Sequence, residues 1–343
     1  MSYHFLLDLS LILLSTKVLG LVTKRFKMPQ VVGALLAGLV LGPAMLNVLT
    51  ETEFITQMAE LGVIILMFTA GLETDIKELK KTGKASFVIA LIGVIVPLVG
   101  GFALTYFFNH PTDGTPDNMV ILQNIFVGVI LTATSVSISV ETLKEMGKLN
   151  TRAGNAILGA AVIDDILGII ALTIITSLAD PTVNIAMVLI KIVAFFILSI
   201  GAGYIFYRLF NKFQARYQRD MRRFVIIAFV FCLFLAYCAE SFFGVADITG
   251  AYIAGVLISN TQRTKYIAAR FDTLSYILLS PIFFASIGLK VSLPSMTGTI
   301  ILFAVLLMVV AILTKIVGCG LGAKLCHMTN QECLQIGSGM VSR

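Results

Sequence analysis

Apolar stretches long enough to cross a bilayer follow one another from Leu6 almost to the last residue of this 343-residue chain, and no polar segment between them is long enough to form a domain. A helix needs about 20 apolar residues to span the hydrocarbon core. On that ruler the spans lie near 3–22, 29–48, 54–72, 85–108, 119–143, 153–178, 184–207, 222–240, 244–259, 271–289 and 299–323, and a twelfth opens near 332. Composition agrees: 58% of residues are hydrophobic and 13% charged, against the roughly half apolar and quarter charged of soluble domains. The fold class expected is an all-α polytopic membrane protein, and catalysis in water is not an expected role.

The placement of charge gives topology. Of the 25 lysines and arginines, all but Lys17, Lys191, Lys290, Lys315 and Arg343 fall in alternate loops. Basic loops stay cytoplasmic, which puts the N-terminus outside. The net charge of +6 is then a topology signal, and nucleic acid is not an expected partner; membrane lipid is. The N-terminal stretch has no basic flank and carries Asp8, so it reads as a span rather than a signal peptide. Five cysteines without a CxxC pair and only three histidines give no disulfide or metal pattern.

The halves repeat. Gly33-Ala34-x-x-Ala37-Gly38 in the second span returns as Gly250-Ala251-x-x-Ala254-Gly255 in the ninth, and Gly71-Leu72 returns as Gly288-Leu289 at the same offset. The two copies run in opposite directions across the membrane. Inverted repeats are an architecture of secondary transporters, with the transport site near the midplane between copies. The offset predicts about 13 spans when complete, the last one and a half lying past Arg343.

Ionisable groups deep in hydrocarbon are costly and mark function. Asp164 and Asp165, within Gly159-Ala-Ala-Val-Ile-Asp-Asp-Ile-Leu-Gly168, lie at the centre of the sixth span, about 16 Å from either end at 1.5 Å per residue. Side chains so short cannot snorkel to water. Neighbours on a helix diverge by about 100°, so the two carboxylates meet different partners: one a buried cation, the other the ion path. Lys315, centred in the eleventh span, is the mid-membrane lysine able to pair; Lys17 and Lys191 lie nearer span ends and snorkel. In the fifth span, Thr132-Ala133-Thr134-Ser135-Val136-Ser137 concentrates hydroxyls. A single Thr or Ser would bond its own helix, but this density points to an unwound segment whose carbonyls and hydroxyls offer hard oxygen ligands to a partly dehydrated cation.

Thr132-Ala-Thr-Ser135, Ala160-Ala-Val-Ile-Asp-Asp165, Leu313-Thr-Lys-Ile-Val-Gly318 and Gly339-Met-Val-Ser-Arg343 together resemble bacterial monovalent cation:proton antiporters of the NapA type, relatives of the Kef potassium:proton systems. The resemblance implies an inverted-repeat sodium/proton antiporter fold with crossed, unwound helices, usually a homodimer. It implies dimerisation-domain spans over 1–72 and 222–289, a moving core over 85–178 and 299–343, and a linker helix at 184–210. Asp165 would bind cation and proton in competition, beside Thr132, Thr134 and Ser135. Asp164 would pair with Lys315, and Arg343 would belong to the second crossing helix. Asp164, where electroneutral or potassium relatives carry Asn or Gln, favours electrogenic Na+ (or Li+) exchange; a Kef-like K+/H+ antiporter is the alternative, and such systems add a C-terminal regulatory domain. No cofactor is expected beyond the transported ions. An intramembrane aspartyl protease needs two acids facing one water, which adjacent residues on a helix cannot provide. A channel fits the Thr-rich stretch but not the titratable pair, and an organic-anion carrier would not place carboxylates at the midplane.

Overall fold

A computed structural model describes residues 3–109, 117–179, 184–216, 221–292 and 298–342. Among them the helices are α1 (His4–Arg25), α2 (Gln30–Leu41), α3 (Glu53–Glu73), α4 (Ile76–Phe108), α5 (Asp117–Ile130), α6 (Val136–Glu145), α7 (Arg152–Ala179), α8 (Ile185–Arg216), α9 (Arg222–Cys238), α10 (Asp247–Ser259), α11 (Thr264–Leu274), α12 (Ser280–Leu289), α13 (Gly298–Leu325) and α14 (Asn330–Gly339). No strand occurs among the described residues. Eight helical runs among them are long and apolar enough to cross a membrane. Large side chains such as Leu302, Val305, Met308 and Leu313 on α13, or Leu14, Val18 and Leu21 on α1, are exposed, the pattern of surfaces solvated by lipid.

Several boundaries differ from the sequence reading. The second span, expected over 29–48, is helical only to Leu41: Gly42 adopts an extended conformation, and the chain folds back so that Val48 and Leu49 donate to the Leu41 carbonyl. The apolar residues after it are not helical; Leu49 instead buries itself against Ile12, Ile55 and Leu289. The fourth span begins at Ile76 rather than 85, because Asp75 caps it through the Lys77 N–H. The tenth begins at Thr264 rather than 271, and continues from α11 into α12 through a π-helical turn, Ser275–Leu279. The fifth is split between α5 and α6.

The helices pack as two groups. In one, α3 packs on α10 and α12, α2 on α1 and α12, and α9 on α10; in the other, α4 packs on α13, α7 and α5, and α14 on α13 and α7. The long α8 lies against α7 and α10. The repeated glycines form the first group. A methyl group added at Gly71 would stand 2.9 Å from Gly255 Cα, and one at Gly255 2.8 Å from Gly71 Cα; one at Gly288 would stand 2.7 Å from the Gly38 carbonyl carbon. Each repeat therefore presses its second-span glycine against the Gly-Leu of the other: Gly38 meets Gly288 as Gly255 meets Gly71. Such close backbone approach is what small residues permit where hydrocarbon provides no hydrophobic drive between helices. In the second group, Gly318 and Gly322 of α13 do the same against Ile92 and Ile89 of α4, so the Gly318-Cys-Gly320-Leu-Gly322 run is a packing surface.

Candidate functional site

The site forms where the break between α5 and α6 and the end of α14 meet α7 and α13. After Ile130 the backbone leaves α5; Thr132 N–H still bonds the Val129 carbonyl, residues 133–135 are non-helical, and α6 starts at Val136. Hydroxyls that compete for backbone groups weaken a helix at such a place. The end of α14 lies against this break. Ser135 N–H donates to the Ser342 carbonyl at 2.7 Å, and Ser342 Oγ donates to the Ser135 carbonyl at 2.9 Å. Ser139 Oγ donates to the Gly339 carbonyl at 2.7 Å and lies 2.6 Å from Ser342 Oγ. Backbone groups at the break and just beyond the end of α14 thus find partners across the crossing, which a low-dielectric interior requires.

Across the break, Lys315 of α13 is fully buried and Asp164 of α7 is 2% exposed. Lys315 Nζ lies 3.0 Å from each carboxylate oxygen of Asp164 and 2.7 Å from the Thr132 carbonyl oxygen. An ammonium has three N–H donors, and these three acceptors satisfy them. The lysine thereby ties together α7, α13 and the unwound segment. Asp165, one residue on, is half-buried and forms no salt bridge among the described residues. Thr134 Oγ1 is buried without a hydrogen-bond partner.

The structure thus brings Asp164, Lys315 and Thr132 together in one contact, and Ser135 into the crossing with Ser342. The Thr132 hydroxyl is turned back to the Val129 carbonyl at 2.7 Å; the group it offers to the cluster is its main-chain carbonyl. Arg343 lies outside the described residues. Of the other lysines in spans, Lys17 bonds the Tyr276 hydroxyl and Lys191 is exposed. Sequence reasoning missed Ser139 and Ser342 as a pair. Ser139 stands one helical turn beyond Ser135, so its shared face was readable, but its partner 203 residues away was not.

In chemical terms, the cluster is a buried ion pair beside a carboxylate that forms no salt bridge of its own among the described residues. Leaving a carboxylate ionised in such a place is costly, and the break between α5 and α6 carries the buried Thr134 Oγ1 without a hydrogen-bond partner. Hard oxygen donors of this kind suit small alkali-metal ions rather than soft metals.

Comparison with known proteins agrees with this chemistry. Residues 10–343 match the family described as sodium/hydrogen exchanger, transmembrane. The Na(+)/H(+)-K(+) antiporter GerN of Bacillus cereus is 39% identical over 100% of this chain and 86% of its own length. A probable Na(+)/H(+) antiporter of the same organism, GerT, is 36% identical over 99% of this chain and 88% of its own. The Na(+)/H(+) antiporter of Enterococcus hirae is 35% identical over 99% and 87%. The sodium proton antiporter MjNhaP1 of Methanocaldococcus jannaschii shares the fold with a TM-score of 0.70 at 18% identity, over 97% of this chain and 83% of that one. The two helix groups, the break between α5 and α6 that the end of α14 meets at Ser135 and Ser342, and the match over residues 10–343 together identify the chain as a member of the transmembrane sodium/hydrogen exchanger family.

Proposed function

We propose that this protein exchanges Na+ or Li+ for protons across the bacterial cytoplasmic membrane, with Asp165 binding the cation and the proton in competition. The observation that carries the reading is the division of labour between two adjacent carboxylates: Asp164 has its charge balanced by Lys315, at 3.0 Å, and Asp165 does not. A cation arriving at Asp165 displaces its proton, and Thr134 Oγ1 and the main-chain carbonyls of the unwound segment supply neutral oxygen ligands. The empty site, with Asp165 ionised and unbalanced, is the species least able to cross, and this couples the two fluxes. A second proton carried at the Asp164–Lys315 pair makes the exchange electrogenic.

In this reading α4–α7 with α13 and α14 form the part that moves, in an elevator-like alternation. The group of α1–α3 and α9–α12 forms the dimerisation domain of a homodimer, and α8 links them. The N-terminus lies outside, by the basic-loop asymmetry. Potassium is the second candidate ion, favoured by the name of GerN, the Na(+)/H(+)-K(+) antiporter of Bacillus cereus.

The test is proton flux in proteoliposomes or everted vesicles on addition of Na+, Li+ or K+, with Asp165→Asn in parallel. The wild type should release protons on adding Na+ or Li+, and the variant should not. Undiminished exchange by Asp165→Asn would remove the ion site from this carboxylate.

A further inference from the structure

Polar contacts also cross the seam between the two helix groups, away from Asp165, and they come from one short element. Lys144, in the last turn of α6, bonds Asp272 of α11, and its Nζ lies 3.6 Å from Glu73 Oε1 at the end of α3. The next residue, Glu145, accepts a 2.7 Å hydrogen bond at Oε2 from the backbone N–H of Gln30, the first residue of α2. Two consecutive residues of α6 thus grip three elements of the opposite group. Glu141, one turn earlier on α6, lines a cavity of about 300 Å³ with Lys17, Gln30 and Tyr276 at the same seam. Around the Lys144 ammonium stand the carboxylates of Glu73 and Asp272 on one side and of Glu141 on the other. Without the ammonium, like charges would face each other across the seam.

The position of α6 gives these contacts a consequence for transport. Its first residue, Val136, directly follows the unwound segment that carries Thr134 and the Thr132 carbonyl. Whatever holds or releases α6 therefore holds or releases one wall of the ion site. The seam contacts lie at the ends of α3 and α6 that adjoin the basic loops. Lys144 and Glu73 are only partly buried and Asp272 is half exposed, and bridges of that kind are individually weak. A weak bond suits a contact that is made and broken in each transport cycle.

We propose that Lys144 is a positioning residue for exchange: by bridging Glu73 and Asp272 it clamps α6 to the opposite helix group on the basic-loop side, and the clamp must part for the site to open to that side. The proposal rests on the alternating exposure of Asp165 described above. Loss of the clamp favours the state open to the cytoplasmic face, and ligand binding draws on that population.

Two experiments test it. In everted vesicles, Lys144→Gln should lower the half-saturating Na+ concentration about threefold, the size of shift a weak bridge can produce, and Lys144→Arg should restore the wild-type value. An unchanged half-saturation in Lys144→Gln would overturn the clamp. In a background with the native cysteines replaced by alanine, Lys144→Cys with Asp272→Cys should be joined by a short bifunctional methanethiosulfonate, since a direct disulfide spans less than a Lys–Asp bridge. Joined protein in proteoliposomes should lose exchange and regain it on reduction, so each sample is its own control for folding. Full exchange by quantitatively joined protein would show that this seam does not part, whatever the role of Asp165. Conversely, exchange by Asp165→Asn together with inactivation by joining would sink the ion-site assignment and leave the clamp standing.

Discussion

Lys315 Nζ spends its three N–H groups on the two oxygens of Asp164 and on the main-chain carbonyl of Thr132, so one buried side chain neutralises a charge and pins an interrupted helix. Removing it leaves the buried Asp164 carboxylate without the cation that balances its charge. Lys315→Ala should therefore lower stability by about 3–5 kcal/mol, the cost of breaking a buried pair from one side. The double variant Lys315→Ala with Asp164→Asn should recover much of that loss, because neither charge then remains. Thermal unfolding in detergent, read as a double-mutant cycle, measures the coupling; strictly additive losses would mean that the pair contributes nothing as a pair.

Asp165 should behave in the opposite way. It forms no salt bridge of its own among the described residues, so Asp165→Asn should leave stability within about 0.5 kcal/mol of wild type or raise it while abolishing Na+-dependent proton flux. A variant that both unfolds and fails to transport would assign Asp165 a structural role instead.

The crossing at Ser139 and Ser342 gives a milder expectation. Ser139→Ala removes the bonds from its hydroxyl to the Gly339 carbonyl and to Ser342 Oγ, at about 1 kcal/mol for each net hydrogen bond. The maximal exchange rate should fall more than the apparent ion affinity changes, because the Ser139 hydroxyl holds the crossing and touches no group assigned to the ion. A large change in half-saturating Na+ at constant maximal rate would argue that Ser139 is itself a ligand.

Glycines provide a matched pair of stability predictions. Gly83, in the basic part of α4, has nothing within 4 Å of an added methyl group, so Gly83→Ala should stabilise by about 0.5–1 kcal/mol through helix propensity alone. Gly255→Ala adds the same methyl group where it meets the Phe68 carbonyl and Gly71 Cα, and should lower the melting temperature and the yield of folded protein. Equal melting temperatures for the two variants would contradict the close packing of α3 on α10.

Electrogenic exchange has its own measurement. A membrane potential imposed on proteoliposomes with a potassium gradient and valinomycin should change the Na+/H+ exchange rate, and a rate indifferent to potential would leave one proton per cation.

Much of the molecule was readable from side chains because in a bilayer the signals are coarse. Span positions follow from hydropathy, the break after Ile130 from crowded hydroxyls, and the candidate pair from the scarcity of mid-membrane charge. What escaped has no side-chain signature. The Thr132 carbonyl that receives Lys315 belongs to the backbone, which every residue carries. The contact of Ser139 with Ser342 joins residues far apart in sequence, and hydropathy says nothing about which helices neighbour each other. Leu46 and Val48 were apolar and so counted toward a span, yet they lie in a non-helical segment whose next residue, Leu49, is buried against protein; hydropathy reports burial in something apolar, whether lipid or protein. The Lys144 clamp was hidden for a related reason, since a lysine at the edge of a basic loop reads first as topology.

The reciprocal glycine contacts also govern how the chain comes to be built. During synthesis α2 and α3 enter the membrane long before α12 and α10 exist, so Gly38 and Gly71 wait with their backbone grooves unfilled until Gly288 and Gly255 arrive. Neither repeat carries the complement to its own surface. Within the first half α1 packs on α2, and α4 on α5 and α7, but the α2–α12 and α3–α10 grooves close only when the second half has been inserted.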